Sequence, residues 1–283
     1  MDKDEFILAQ DKEIEEVTGK FFKVVRRAVH LYGFWGSVSR YILMRDGYRN
    51  FVKFGKTGEE KKFRKDLLRR FAGIQKKITC GHSPFQFVLM AEYILDLDVS
   101  GPIVECGCYK GGSTAKLSLL AEYTKRKLYV FDSFQGLPEP ENEKEAYVRQ
   151  DGKSGQKYRF QAGQYRGTLD EVKNNIARYG CQDVCEFIPG FFAQSLSGFR
   201  EEPAFVFIDV DLVSSAKDCI KVLWPLLKKG GYFFTHEAMY PAYVTGILDR
   251  DWWRENLGQC PPVIFGAGSG LSPVADTIAY MRK

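Results

Sequence analysis

What this 283-residue chain lacks narrows its reading before any motif is weighed. No uninterrupted apolar stretch is long enough to cross a bilayer, so no membrane span is expected. Met1-Asp2-Lys3-Asp4-Glu5 is acidic and no apolar core follows it, so no secretory signal is expected either. The seven cysteines are odd in number and form no Cys-x-x-Cys pair, which argues against a disulfide framework and against a zinc knuckle. Most are read as small core residues of a protein in a reducing, cytoplasmic compartment. Histidine is scarce: His30, His82 and His236 are the whole supply. There is no internal repeat and no low-complexity tract. A net charge of +5 is too mild to require nucleic acid.

What is present divides in two. Residues 1–78 read as an N-terminal helical extension that covers the site, with amphipathic segments at Lys12–Val29 and Glu59–Lys77. The second segment has a strongly basic face, for which a solvated surface is a safer reading than a membrane or RNA contact. Residues 79–283 read as the main domain. Ser83-Pro84 suits a helix N-cap followed by proline in the first turn, opening a helix to about Leu97. From there, short apolar strands alternate with helices. Strands are expected at Ile103–Cys106, Leu128–Phe131, Cys185–Ile188, Phe205–Ile208, Tyr232–Thr235, Val263–Phe265 and Thr277–Met281. Helices are expected at Ser113–Tyr123, Leu169–Tyr179 and Ala216–Leu227. That alternation predicts an α/β fold with a mostly parallel sheet and helices on both faces. Residues 138–167 form a long polar stretch that reads as a lid; its Tyr147, Tyr158 and Tyr165, with Trp252 and Trp253 near the C-terminal region, read equally well as an aromatic wall for a ligand ring and as packing aromatics.

Three motifs carry chemistry. In Glu105-Cys106-Gly107-Cys108-Tyr109-Lys110-Gly111-Gly112-Ser113 an acid ends a strand, glycines turn the chain and a helix begins. Such a turn brings backbone N–H groups close to a ligand at the carboxyl edge of a parallel sheet. Asp132 ends the next strand, 25 residues after Gly107 (132 − 107), where a carboxylate faces ribose hydroxyls. Asp209 and the pair His236-Glu237 end two further strands, 27 residues apart (236 − 209), and should meet at the same edge. Asp209, His236 and Glu237 suit a divalent metal, Mg²⁺ or Mn²⁺. The open alternative is a metal-free site in which His236 is a general base held by a neighbouring acid.

The runs Val104-Glu105-Cys106-Gly107, Gly111-Gly112-Ser113-Thr114, Asp132-Ser133-Phe134-Gln135-Gly136-Leu137-Pro138, Gly167-Thr168-Leu169-Asp170-Glu171, Pro189-Gly190-Phe191-Phe192 and Asp209-Val210-Asp211 resemble the macrocin O-methyltransferase (TylF/MycF-type) family. The resemblance implies a Rossmann-like, doubly wound fold with a seven-stranded sheet whose last strand is antiparallel. It implies an O-methyltransferase using S-adenosylmethionine on a hydroxyl of a small molecule, a sugar or glycosylated natural product above all. By position, Glu105, Gly107, Tyr109, Gly111, Gly112 and Ser113 would hold the methionine end of the donor. Asp132 and Ser133 would hold the ribose, Gly190 and Phe191 the adenine, and Gly81, His82 and Ser83 would also touch it, with Asp209 at the rim. The family's Mg²⁺ ligands are an aspartate at the position of Asp209 and an Asp-Asp pair where this chain has His236-Glu237. Its catalytic histidine lies in the lid, and residues 138–167 contain none here. His236 and Asp209 are then the catalytic candidates. Two rivals stay open: a non-catalytic cofactor-binding protein of the same fold, and an NAD-dependent oxidoreductase, which the Gly-x-x-x-Gly-Gly turn suits poorly. A homo-oligomer is also left open; a nucleic-acid or membrane partner is not expected.

Overall fold

A computed structural model describes residues 39, 41–142, 147–150, 157–272 and 274–283. The chain divides into two units, Met1–Gly47 and Tyr48–Lys283. Residues 39 and 41–47 of the first are helical; the helix expected over Lys12–Val29 lies outside the described residues. The second unit carries the sheet and the site.

Helix α1 (Gly58–Lys77) is capped by Thr57, whose hydroxyl accepts from the Glu60 N–H. Glu59 and Glu60 sit at its positive end and Lys76 and Lys77 at its negative end, as the helix dipole favours. Leu67, Phe71 and Ile74 are buried, while Lys61, Lys62, Lys65, Arg69 and Arg70 face solvent. Arg64 is the exception on the basic side. It is buried, ion-paired to Glu60 and Glu92, and its guanidinium lies over the Phe51 ring. Helix α2 (Pro84–Leu95) begins at Ser83, whose N–H donates to Gln86 Oε1, with Pro84 in the first turn as expected.

The main sheet has seven strands: β1 (Ile103–Cys106), β2 (Leu128–Asp132), β5 (Cys185–Pro189), β6 (Phe205–Ile208), β7 (Tyr232–Thr235), β8 (Ile264–Phe265) and β9 (Ala279–Arg282). Their order is β5-β2-β1-β6-β7-β9-β8. β9 runs antiparallel to both neighbours, and the other pairings are parallel. The seven strands thus lie within a residue or two of the apolar runs that announced them. Two further strands, β3 (Tyr147–Gln150) and β4 (Lys157–Arg159), pair antiparallel within the stretch read as a lid. They were not legible because polar residues there give no apolar alternation.

Side chains alternate across the sheet. Val104, Cys106, Val206, Ile208 and Phe233 join a core with α5 (Phe192–Ser195), α6 (Val213–Leu226), α7 (Pro241–Ile247) and α8 (Arg250–Leu257). On the opposite face Phe207 meets Phe87 of α2, and α2 packs on α3 (Gly112–Tyr123), which in turn meets α4 (Leu169–Tyr179). Glu105, between Val104 and Cys106 on β1, points to this second face. Sheet order reverses between β1 and β6, so their carboxyl ends open a crevice where ligands of doubly wound sheets bind. No disulfide forms among the described residues, and all seven cysteines are free. Only Cys106, Cys108 and Cys219 are fully buried, fewer than the composition suggested.

Candidate active site

The crevice is a cavity of about 390 Å³ at the carboxyl ends of β1, β2, β6 and β7. Its backbone is strained in a patterned way. Tyr109, Phe134, Asp211 and Glu237, each two or three residues beyond one of these strands, all take positive φ between 46° and 59°. Non-glycine residues pay for that conformation, and such residues cluster at functional sites.

The β1 turn is built on Gly107, at φ +85°. A Cβ there would lie 2.0 Å from the Asp209 carbonyl oxygen, so only glycine lets the β1 and β6 ends approach. Asp132 ties this turn to the next. Its Oδ2 accepts from Cys108 N and its Oδ1 from Phe134 N, both at 2.7 Å. Burial pushes its carboxyl above the usual range, against the pull of those donors. Ser133 is turned inward on its own loop, donating to the Gly136 carbonyl and accepting from Gln135 N.

Glu105 is fully buried behind this turn. Thr114 Oγ1 donates to its Oε2 at 2.5 Å, while Oε1 has no hydrogen-bond partner among the described residues. Burial pushes its carboxyl up to about 8. An orphaned carboxyl oxygen beside the start of α3 is a fitting receptor for an ammonium group.

At the other end four chain segments converge. Asp209 follows β6; its Oδ2 lies 2.9 Å from His82 Nε2 and its Oδ1 3.1 Å from His236 Nδ1. His236 follows β7, and its Nδ1 is also 2.5 Å from Glu237 Oε1. The outer nitrogens are held elsewhere: His236 Nε2 by Thr277 Oγ1 at 2.7 Å, His82 Nδ1 by Cys80 Sγ at 3.2 Å. Burial opposes charge at every one of these groups, and neighbours decide the outcome. It raises Asp209, but the two imidazoles override it and hold that carboxyl well below the usual range. It lowers both histidines, but the facing carboxylates, with Cys80 beside His82, raise His82 to about 9 and His236 well above its ordinary value. Glu237 is raised by burial to about 7. Asp211 is raised by burial and by the carboxylates of Glu237 and Asp209.

Of the residues singled out from sequence, Gly81, His82, Gly107, Tyr109, Gly112, Ser113, Asp132, Ser133, Phe191, Asp209, His236 and Glu237 line this one cavity. Glu105, Gly111, Ser83 and Gly190 do not line it. Gly111 turns the chain at φ +81° beneath it, Ser83 Oγ donates to the Val274 carbonyl, and Gly190 N donates to the Asp132 carbonyl. Tyr165 lines the cavity, as an aromatic wall would require, but Trp253 is a core residue whose Nε1 donates to the Ile247 carbonyl. The side chains of Tyr147 and Tyr158 lie outside the described residues. Sequence reasoning missed Cys80, Phe160, Asp211 and Tyr240 as lining groups. It also missed that His82 meets Asp209. For Asp211 a signal existed, since it sits two residues past Asp209 in the same motif.

A mostly parallel sheet with this strand order, one antiparallel strand, a glycine turn and an acid at the second strand end defines the class: a Rossmann-like α/β fold with an adenosine-type ligand site at its switch point. Residues 85–244, more than half of the chain, match the family described as macrocin-O-methyltransferase (TylF), and the chain belongs to that family. It is 29% identical over 185 residues to 8-demethyl-8-(2,3-dimethoxy-alpha-L-rhamnosyl)-tetracenomycin-C 4'-O-methyltransferase of Streptomyces olivaceus, covering 64% of this chain and 68% of that one. It is 28% identical over 158 residues to demethyldecarbamoylnovobiocin O-methyltransferase of Streptomyces niveus, covering 52% of this chain and 56% of that one. The solved structure of the O-methyltransferase NovP shares the fold, with a TM-score of 0.55 at 20% identity over 72% of this chain and 83% of that one. The protein is therefore an enzyme that moves a methyl group from S-adenosylmethionine to a hydroxyl, and the oxidoreductase and non-catalytic alternatives fall away.

Proposed function

We propose that the acceptor is a sugar hydroxyl of a glycosylated small molecule, and that donor and acceptor meet in the single cavity at the β1, β2, β6 and β7 ends. The observation that carries this reading is the shared cavity: the glycine turn, Asp132, Asp209 and His236 all line it. The sugar is supported by the name of the Streptomyces olivaceus relative, a 4'-O-methyltransferase of a rhamnosyl tetracenomycin. Phe160, Tyr165 and Tyr240 offer apolar faces on which a sugar ring or aglycone can lie.

In this reading the Gly107–Ser113 turn receives the methionine end, with the Glu105 carboxyl buried behind the turn drawing its ammonium toward it. Asp132 takes the ribose hydroxyls through the second lone pair of each oxygen. Phe191 lies along the adenine with Gly190 shaping the turn, and the Gly81–Ser83 loop closes the wall. The sulfonium methyl is already activated, so the chain's main task is alignment of sulfur, methyl and oxygen. Asp209 and His236 orient the acceptor hydroxyl and handle its proton. The same residues fit a divalent ion, because His82 Nε2 and Glu237 Oε2 are buried without an aligned hydrogen-bond partner among the described residues. Asp209, His236 and Glu237 would hold that ion, which would lower the acceptor's pKa. Residues 1–78 as a covering extension, and a cytoplasmic setting with free thiols, belong to the same proposal. No helix among the described residues is long and apolar enough to cross a membrane.

The test is methyl transfer from labelled donor to a panel of glycosides and their aglycones, with S-adenosylhomocysteine titrated by calorimetry. Glycosides should be methylated and aglycones not. His236→Ala and Asp209→Asn should each lower turnover by about 100-fold or more, as loss of a proton-handling group does, with S-adenosylhomocysteine affinity changed only a few-fold. Methylation of the aglycones alone would overturn the acceptor assignment, and full turnover in both variants would overturn the roles.

A further inference from the structure

The acceptor end contains one histidine more than its strand ends supply. His82 comes from the loop before α2, 127 residues from Asp209 (209 − 82), yet its ring is buried against Phe87 and Phe207, edge-on to His236 at 4.7 Å. We infer that His82 completes a site for a divalent transition ion, with His82 Nε2, His236 Nδ1 and the Asp209 and Glu237 carboxylates as donors, and that the site prefers an ion of the Mn²⁺-to-Zn²⁺ series to Mg²⁺. The inference rests on the methyltransferase reading only for its use, since the donors stand as a set without it.

Three observations carry it. The first is convergence: the ligand atoms of His82, Asp209 and His236 all lie within 4.8 Å of one another. The second is the orientation of the rings. Each imidazole turns one nitrogen inward to Asp209 and anchors the other on an outer partner, Cys80 for His82 and Thr277 for His236. Thr277 is itself held by Gln86. Metal-bound histidines have this arrangement, the outer N–H fixing ring and tautomer. The third is what stays unsatisfied. His82 Nε2 is near Asp209 but not aligned for a hydrogen bond, and Glu237 Oε2, also buried, has no partner among the described residues. An imidazole nitrogen and a carboxylate oxygen that are both buried and unsatisfied, one on His82 and the other on the residue next to His236, are the kind of atoms a bound cation would satisfy.

Ion preference follows from donor chemistry. Mg²⁺ demands oxygen ligands and gives up water reluctantly, whereas imidazole nitrogen suits Mn²⁺, Fe²⁺, Co²⁺ and Zn²⁺. The Mg²⁺ implied by the resemblance belongs to an all-aspartate set; this chain keeps Asp209, has His236-Glu237 in place of the Asp-Asp pair, and brings His82 beside them.

Co²⁺ is the probe. Purified full-length protein, stripped with chelator and dialysed, should take up one equivalent of Co²⁺ with visible ligand-field absorption, and Zn²⁺ should displace it. Mg²⁺ should bind at least about 100-fold more weakly by calorimetry. His82→Ala should weaken Co²⁺ binding by about 100-fold or more, while S-adenosylhomocysteine binding on the same sample reports separately on the fold and on the methyltransferase reading. If His82→Ala does not fold, the Co²⁺-loaded wild type decides: two hyperfine-shifted, exchangeable imidazole N–H resonances are expected. The inference is overturned by no stoichiometric Co²⁺ uptake, by Mg²⁺ binding as tight as Co²⁺, by a folded His82→Ala with wild-type Co²⁺ affinity, or by fewer than two such resonances.

Discussion

Glu105→Gln should stabilise the protein near neutral pH while it weakens donor binding, and the pH dependence identifies the cause. The folded carboxyl is raised from 4.5 to about 8, with burial as the leading cause. Between those values the unfolded chain carries an ionised Glu105 and the folded chain a neutral one, so unfolding releases a proton. The stability contributed by the neutral carboxyl is fully present below pH 4.5 and is lost as pH rises through 8. The window is 3.5 units (8 − 4.5), and at about 1.4 kcal/mol per unit the ceiling on the loss is about 5 kcal/mol. Glutamine cannot ionise, so the variant escapes the loss. Urea unfolding of both proteins between pH 4 and 9 measures it. The stability difference, variant minus wild type, should climb across the window and level off above about pH 8. Subtracting the curves cancels the titrating groups that Glu105 does not influence and leaves its own titration with that of its electrostatic neighbours, among them His82, Asp209 and Lys116. S-Adenosylhomocysteine supplies the second half of the test. Its ammonium should draw the proton from Glu105, so binding near pH 7 should release about one proton in wild type and none in Glu105→Gln, as calorimetry in buffers of different ionisation enthalpy reads directly. A flat or falling difference curve would refute the assignment of the buried carboxyl. Equal proton release by both proteins would refute its pairing with the ammonium.

Other substitutions separate fold from site. Gly107→Ala forces a Cβ to within 2.0 Å of the Asp209 carbonyl at φ +85°; the thermal midpoint should fall by the equivalent of about 2–4 kcal/mol, with S-adenosylhomocysteine binding lost, and a wild-type midpoint would contradict the close approach. Asp132→Asn keeps the shape but places an amide against one of two backbone N–H donors; donor affinity should drop about 10- to 100-fold, which titration calorimetry checks. Arg64→Met leaves Glu60 and Glu92 without their buried cation; urea unfolding should show a loss of about 3–5 kcal/mol with donor affinity preserved, because none of the three lines the cavity.

The parts of this molecule that could be read from its sequence are those where a local rule and a global one agree. Strands such as Phe205–Ile208 are apolar throughout because both faces are covered, so they stand out without any partner being known. Gly107 and Asp132 were legible as site residues because a turn and a strand end fix their places by chain geometry alone. Helix α8 had its signals too, Asp249 accepting from Asp251 N and Trp252 N at the start and Gly258 at φ +66° after the end. Its tryptophans nonetheless suggested a binding wall, because amphipathic spacing over eight residues does not say which side of a short helix faces the core. His82 was the hardest case. Its neighbours Ser83 and Pro84 announce a helix cap, which accounts for the backbone there and leaves the imidazole unexplained. Spacing linked Asp209 to His236 because consecutive parallel strands end at one edge, but no such rule reaches back over 127 residues to a loop on another face. The link exists only through packing: α2 lies on β6 by way of Phe87 and Phe207, and that contact sets the ring of His82 over the end of the strand that carries Asp209. A donor set assembled in this way can be altered by exchanging one loop residue while every strand-end motif is kept. For that reason, strand-end motifs identify where such enzymes bind their donor more reliably than they identify what stands at the acceptor end.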